Sequence, residues 1–264
     1  MRPKHPKDIK RNISSRQFIS VPEGIQLCVV CDIHEHSEQF FSILDQINPN
    51  PERTILVVNG DIYDKGMGIR EAERITDKLI ELQNKNCCYA VRGNHEVKLI
   101  KKTRKTDKFS DQLKWWSNQP LCLTFTFEKT RSIINVLHAG ITPKMNDGDL
   151  GHSIEIVYVR DVDVETGEMI PLIWKNIDGV ETLVKSKEGT VWHELYDGRM
   201  GYIISGHAAQ KDGMPKFYNY SCNLDCGTYD TGKLVGQYIT DEGKLGKLIE
   251  VIGEAAKPEL HVAY

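Results

Sequence analysis

Short apolar runs alternate with amphipathic stretches through the first part of the chain, and the change of period predicts strand, helix, strand. Ile25 to Val30 reads as a buried strand, continued to Cys31, that ends at Asp32-Ile33-His34. Phe40, Phe41, Leu44 and Ile47 then recur at helical spacing, with Ser37 as the expected N-cap and Asn48-Pro49-Asn50-Pro51 as the stop. A second strand over 54–59 runs into Asn59-Gly60-Asp61-Ile62-Tyr63-Asp64-Lys65-Gly66. Arg70 to Lys85 is expected to be a helix with Ala72, Ile75, Leu79 and Leu82 inward. A third strand, 87–92, delivers Gly93-Asn94-His95-Glu96. This alternation is the pattern of a parallel α/β layer.

From Leu121 the period shortens toward strands, expected at Leu121 to Phe127, Ser132 to Leu137, Tyr202 to Ser205, Lys216 to Tyr220, Lys233 to Thr240 and Lys247 to Ile252. The polar, hairpin-like stretch at about 147–190 is expected to be a cap-like insertion that helps set substrate choice. Residues 1–20 carry Lys4, Lys7, Lys10, Arg11 and Arg16 with two prolines and are expected to form a flexible basic arm, leaving 21–264 as one domain.

Composition narrows the class without naming a reaction. With 40% hydrophobic and 27% charged residues, the 264-residue chain reads as an ordinary globular protein. A net charge of −3 gives no support for wholesale nucleic-acid binding. The local basic run Lys98, Lys101, Lys102, Arg104, Lys105 and Lys108 is therefore either a solvated helix face or a surface that draws a polyanionic substrate. No apolar run approaches the ~18 residues of a membrane helix. The basic N-terminus lacks a secretory core, so the cytoplasm is the expected compartment. Cys28 and Cys31 have C-x-x-C spacing, but no second pair stands at zinc-ribbon distance, and the seven cysteines are expected to be buried reduced thiols. Trp115-Trp116 is expected to serve core and lid packing.

The chemistry sits where the strands end. Asp32 and His34, Asp61 and Asp64, Asn94 and His95, His138, and His207 each follow an apolar run, and together they argue for one metal site. In order they match D-x-H, G-D-x-x-D-[RK]-G, G-N-H-[ED], H-A/G-G and G-H. Over roughly residues 25 to 240 the chain thus resembles the calcineurin-like metallophosphoesterases and, within them, the phosphoprotein phosphatase branch. That branch holds serine/threonine phosphatases, diadenosine tetraphosphate hydrolases and RNA-repair phosphatase modules.

The resemblance implies a four-layer αββα sandwich, two central mixed sheets flanked by helices. It implies two divalent ions, one held by Asp32, His34 and Asp61 and the other by Asp61, Asn94, His138 and His207. The mixed donors suit Mn²⁺ foremost, then Fe or Zn²⁺, with Mg²⁺ less favoured. A hydroxide bridging the ions would attack phosphorus, and His95, paired with Asp64, would protonate the leaving oxygen. Arg92, Lys65 and Asn94 would hold the phosphate, although Lys65 stands where the family usually has arginine, which puts its bidentate grip in doubt. Trp192 to Gly198 and Asn223 to Gly227 look like segments of nucleotide and RNA-end phosphatases, whereas Asp64 argues against many diadenosine tetraphosphate hydrolases. The expected function is metal-dependent hydrolysis of phosphate esters or anhydrides, with a nucleoside polyphosphate or RNA-end phosphate as substrate. The alternatives are a serine/threonine phosphoprotein phosphatase and, in another class, a metal-bound binding module without turnover.

Overall fold

Two mixed sheets lie face to face, and the period of each strand decides which side chains enter the space between them. The structure, a computed structural model, describes residues 15–177 and 180–256. One sheet runs in the order β15 (Leu245–Ile252), β14 (Lys233–Ile239), β2 (Gln26–Val30), β3 (Thr54–Val58), β4 (Cys88–Ala90). Its β2, β3 and β4 are parallel, while β14 is antiparallel to both neighbours. The other runs β1 (Arg16–Val21), β5 (Cys122–Phe127), β6 (Ile133–Leu137), β11 (Tyr202–Ser205), β13 (Ser221–Asn223), β12 (Lys216–Phe217).

Alternation along β2 and β3 divides their residues between two cores. Leu27, Val29 and Val57 join Leu123, Phe125, Val136 and Ile204 between the sheets. Cys28, Val30, Leu56 and Val58 point the other way, onto α1 (Ser37–Ile47), α2 (Ile69–Asn84), α3 (Asn94–Thr103) and α4 (Asp111–Ser117). Phe40, Ile43, Ile75, Leu79 and Trp116 are fully buried in that helical layer, and each apolar side chain there contributes about 1.5–3 kcal/mol by leaving water. Cys28 and Cys31 fall in different cores, so the C-x-x-C spacing cannot bring them together. All seven cysteines are free and buried. Trp115 and Trp116 hydrogen-bond inward to Gln83 and Thr76 and serve packing.

The fourth layer covers the outer face of the β5–β6–β11 sheet. It is built from 3₁₀ turns at Asp149–Gly151 and Ile154–Val157, the pair β7 (Asp161–Val162) and β10 (Thr190–Val191), and α5 (Trp192–Leu195). The hairpin β8 (Leu172–Ile177) and β9 (Val180–Lys185) belongs to the same stretch. A short helix, α6 (Thr228–Thr231), precedes β14. No helix among the described residues is long and apolar enough to cross a membrane.

Three local expectations change. Residues 16–20 are not part of an arm: Arg16 to Val21 pairs in parallel with β5, and Arg16 is buried with its Nε donating to Thr124 Oγ1 at 2.7 Å. The rest of the expected arm, residues 1–14, lies outside the described residues. The N-cap of α1 is His36, not Ser37, because Ser37 spends its hydroxyl on the Glu71 carboxylate. Of Lys216 to Tyr220 only the first two residues are paired; Tyr218 N–H turns back to Ser221 O at 2.8 Å, and Ser221–Asn223 becomes the inner strand.

Candidate metal centre

The C-terminal ends of β2, β3, β6 and β11, with the N-terminus of α3, meet at one point between the sheets. Asp32, His34 and Asp61 form one group whose ligand atoms lie within 4.8 Å of one another, and Asp61, His138 and His207 form a second. Asp61 belongs to both. Its Oδ2 stands 3.3 Å from His138 Nε2, 3.7 Å from His95 Nε2 and 3.8 Å from His34 Nε2. Asn94 Oδ1 is 2.9 Å from His138 Nε2.

Glycine lets these ends approach. Gly60 has φ +73° and packs so close to Gly93 that a Cβ would stand 2.3 Å from the Gly93 nitrogen. A Cβ on Gly206 would be 1.8 Å from Asp32 Oδ2. Asp32, His34, Asp61, Asp64, Lys65 and His207 all adopt positive φ, a concentration of backbone strain that regular packing does not require.

Second contacts fix the rings. His34 Nδ1–H donates to Asp64 O and His138 Nδ1–H to Asn59 O, each at 2.9 Å, which turns both Nε2 atoms toward Asp61. Burial holds the His34 imidazole neutral, with its pKa down at about 3. For His138 burial opposes the charge, but Asp61 and Asp32 outweigh it and raise the pKa to about 10, so an ion bound there must displace a proton. Burial likewise opposes the charge on Asp61, and His138, His95 and His34 overcome it and keep this carboxylate well below its usual range. Burial and the nearby Asp225 push Asp32 well up.

The donor set fits divalent cations. Asp32 Oδ1 is buried without a hydrogen-bond partner, and such an acceptor is costly unless a cation or donor meets it. Carboxylate, amide oxygen and imidazole together match borderline metals. His207 Nε2 accepts from Arg160 Nε at 2.9 Å, and its backbone N–H donates to Asp32 Oδ2.

Around this cluster, His95 Nδ1 lies 3.0 Å from Asp64 Oδ2. That hydrogen bond holds Asp64 well below the ordinary carboxylate range, with Lys98 adding to the effect. Lys65 Nζ sits 5.1 Å from the ring centroid of Tyr229, whose ring meets His34 edge-on at 5.8 Å. Arg92 is half-buried, its Nε without a hydrogen-bond partner, and is not joined to the cluster by a hydrogen bond among the described residues. Lys101, Lys102, Arg104, Lys105 and Lys108 are exposed.

Several contributors were given no role by the motif reading. The buried Glu96 carboxylate accepts from the N–H groups of Asp61, Ile62, Tyr63 and Gly93, pinning the central loop to the start of α3. Asn59 Nδ2 donates to Leu137 O at 3.0 Å and so ties one sheet to the other beside His138. Arg160 comes from the stretch read as an insertion and Tyr229 from α6; neither carries a local spacing signal. The Trp192 to Gly198 segment backs the site from outside. Trp192 Nε1–H donates to Ala139 O at 3.2 Å, and its indole occupies the space a Cβ on Gly140 would need.

His193 stacks on Trp192 at 3.8 Å and on Tyr218 at 4.5 Å, and burial lowers its pKa to about 3. Protonation therefore favours the unfolded chain: this stability is whole above the unfolded pKa near 6.5 and is lost as pH falls toward the folded value. Urea unfolding should lose about 2 kcal/mol between pH 6.5 and 5 from this residue. His193→Gln should flatten that slope, and an unchanged slope would contradict the assignment.

Two sheets that pool carboxylates and imidazoles at their strand ends define a metal-site α/β protein. The model of the calcineurin-like phosphoesterase family matches residues 25–211, and the chain belongs to that family. A symmetrical bis(5′-nucleosyl)-tetraphosphatase of Wigglesworthia glossinidia brevipalpis is 33% identical over 137 residues, 46% of this chain and 47% of the relative. Its namesake from Erwinia tasmaniensis is 30% identical over 131 residues, 44% of each. The chain thus spans about half the length of the curated relatives it matches. A crystal structure provisionally named a diadenosine tetraphosphatase superposes with a TM-score of 0.64 at 22% identity, over 90% of this chain and 98% of that one. A serine/threonine phosphatase from Saccharomyces cerevisiae gives 0.50 at 12% identity, over 84% and 76%. At such identities both likenesses concern the fold, the two-sheet sandwich described above.

Proposed function

We propose that this protein is a metal-dependent hydrolase of phosphate bonds that prefers a nucleotidic substrate, foremost a dinucleoside polyphosphate. The observation that carries the chemistry is Asp61, shared by two three-residue groups with metal-ligand spacing. Asp32, His34 and Asp61 would hold one ion, and Asp61, Asn94, His138 and His207 the other, with Mn²⁺ favoured by the mixed donors. When bound, the ions neutralise phosphate oxygens and make a water nucleophilic at neutral pH. The chain's own residues then orient the substrate and move the proton. Lys65, Arg92 and Arg160 supply cations for the remaining phosphate oxygens, and Arg160 already stands against His207. His95, oriented by Asp64, gives a proton to the leaving oxygen. Lys98 to Lys108 present charge to an incoming polyanion.

The nucleotidic preference is supported by the names of the relatives. The test compares kcat/KM with Mn²⁺ for a dinucleoside tetraphosphate, 5′- and 3′-phosphorylated oligonucleotides and a phosphoserine peptide. We expect the dinucleoside tetraphosphate to lead the peptide by about 100-fold, a transition-state preference of nearly 3 kcal/mol. A peptide preference would move the function to the phosphoprotein phosphatases.

A further inference from the structure

Besides the His34 ring bonded to Asp64 O, the turn after β2 and the loop after β3 are joined by a side chain that no motif singles out. Glu35 is 6% exposed and adopts φ +65°, a left-handed conformation that glycine takes without steric cost and glutamate does not. Its carboxylate supplies what glycine could not. Oε1 accepts from Asp64 N–H at 2.9 Å, and Oε2 accepts from Gly68 N–H at 2.7 Å and Gly66 N–H at 3.2 Å. Its own N–H donates to Ile62 O at 2.8 Å, while His34 N–H donates to Asp61 O at 2.9 Å. Gly66 closes the packing, since a Cβ there would lie 1.7 Å from His34 O.

The loop so held contains Asp64 at φ +73° and Lys65 at φ +68°. Such a backbone persists only when its surroundings over-determine it. Asp64 is aimed at His95 Nδ1 at 3.0 Å, and Lys65 at the Tyr229 ring. We propose that Glu35 is the positioning residue of the Asp64–His95 pair: its carboxylate fixes the 64–68 loop in the one conformation that orients His95 for proton transfer. This inference rests on the assignment of His95 as proton donor to the leaving oxygen.

The test uses Mn²⁺-loaded enzyme and a series of aryl phosphates whose leaving groups grow steadily poorer, with bound metal measured by elemental analysis and Tm by calorimetry. Glu35→Gly should keep the wild-type metal content. Its kcat should fall by about threefold for p-nitrophenyl phosphate and by about 30-fold or more for phenyl phosphate, so that dependence on the leaving group steepens. His95→Asn should steepen it further. Glu35→Gln, which retains one acceptor oxygen, should fall between wild type and Glu35→Gly. Glu35→Ala, which keeps the strained φ without the hydrogen bonds, should have a lower Tm than Glu35→Gly. Equal falls for every leaving group, or loss of metal from Glu35→Gly, would overturn the proposal by making the residue structural or a support of the metal ligands. If His95→Asn leaves the dependence unchanged, the donor assignment fails and this inference with it. If His95→Asn steepens it and Glu35→Gly does not, this inference alone fails.

Discussion

Asp61→Asn is expected to strip the centre of metal and to lower kcat/KM by about 10⁴-fold or more. The reason is position: among the described residues, Asp61 is the carboxylate common to both groups of candidate ligands. An asparagine offers a neutral oxygen to one side and an amide N–H₂ to the other, which repels a cation. The substitution also leaves the buried His138 without its nearest counter-charge, which stood 3.3 Å away. Losing one partner of a buried pair costs about 3–5 kcal/mol, so the metal-free variant should unfold at lower urea than metal-free wild type. Elemental analysis with kinetics decides the point, and two ions retained at wild-type affinity would contradict a shared role for Asp61.

His95→Asn should separate chemistry from metal binding. His95 faces Asp61 Oδ2 at 3.7 Å through Nε2 and spends Nδ1 on Asp64, and its side chain is only 10% exposed. Loss of a positioned proton donor lowers turnover by about 10²–10⁴-fold. Metal content should stay at the wild-type value, because neither group of clustered ligands includes His95. Turnover within about threefold of wild type would remove His95 from the role of donor.

The parts legible in the sequence are those with a local signature. Apolar runs before Asp32, Asp61, Gly93, His138 and His207 mark strands that lie in two facing sheets, and the ends of these strands converge on the candidate ligands. The two-sheet sandwich follows from the same alternation together with the family resemblance. What escaped depends on partners distant in sequence. Residues 16–20 read as the end of a basic arm because their pairing with β5 and the burial of Arg16 are set by residues more than a hundred positions away. Glu35 and Asn59 look like ordinary polar neighbours of a motif, and Glu96 is a motif member with no evident task, since their function lies in backbone N–H and C=O groups that a side-chain pattern does not display. Arg160 sits in a stretch with no metal-ligand pattern and reaches His207 only because the outer layer folds back across the sheet.

The measurement that bears most directly on this account is phosphate-bond hydrolysis of a dinucleoside tetraphosphate by metal-stripped protein as Mn²⁺ is titrated back, with bound metal counted at each step. Activity should be absent after chelation and rise to its full value as the second equivalent binds. Full activity in the stripped protein, or a plateau with no metal bound, would contradict a centre organised around Asp61.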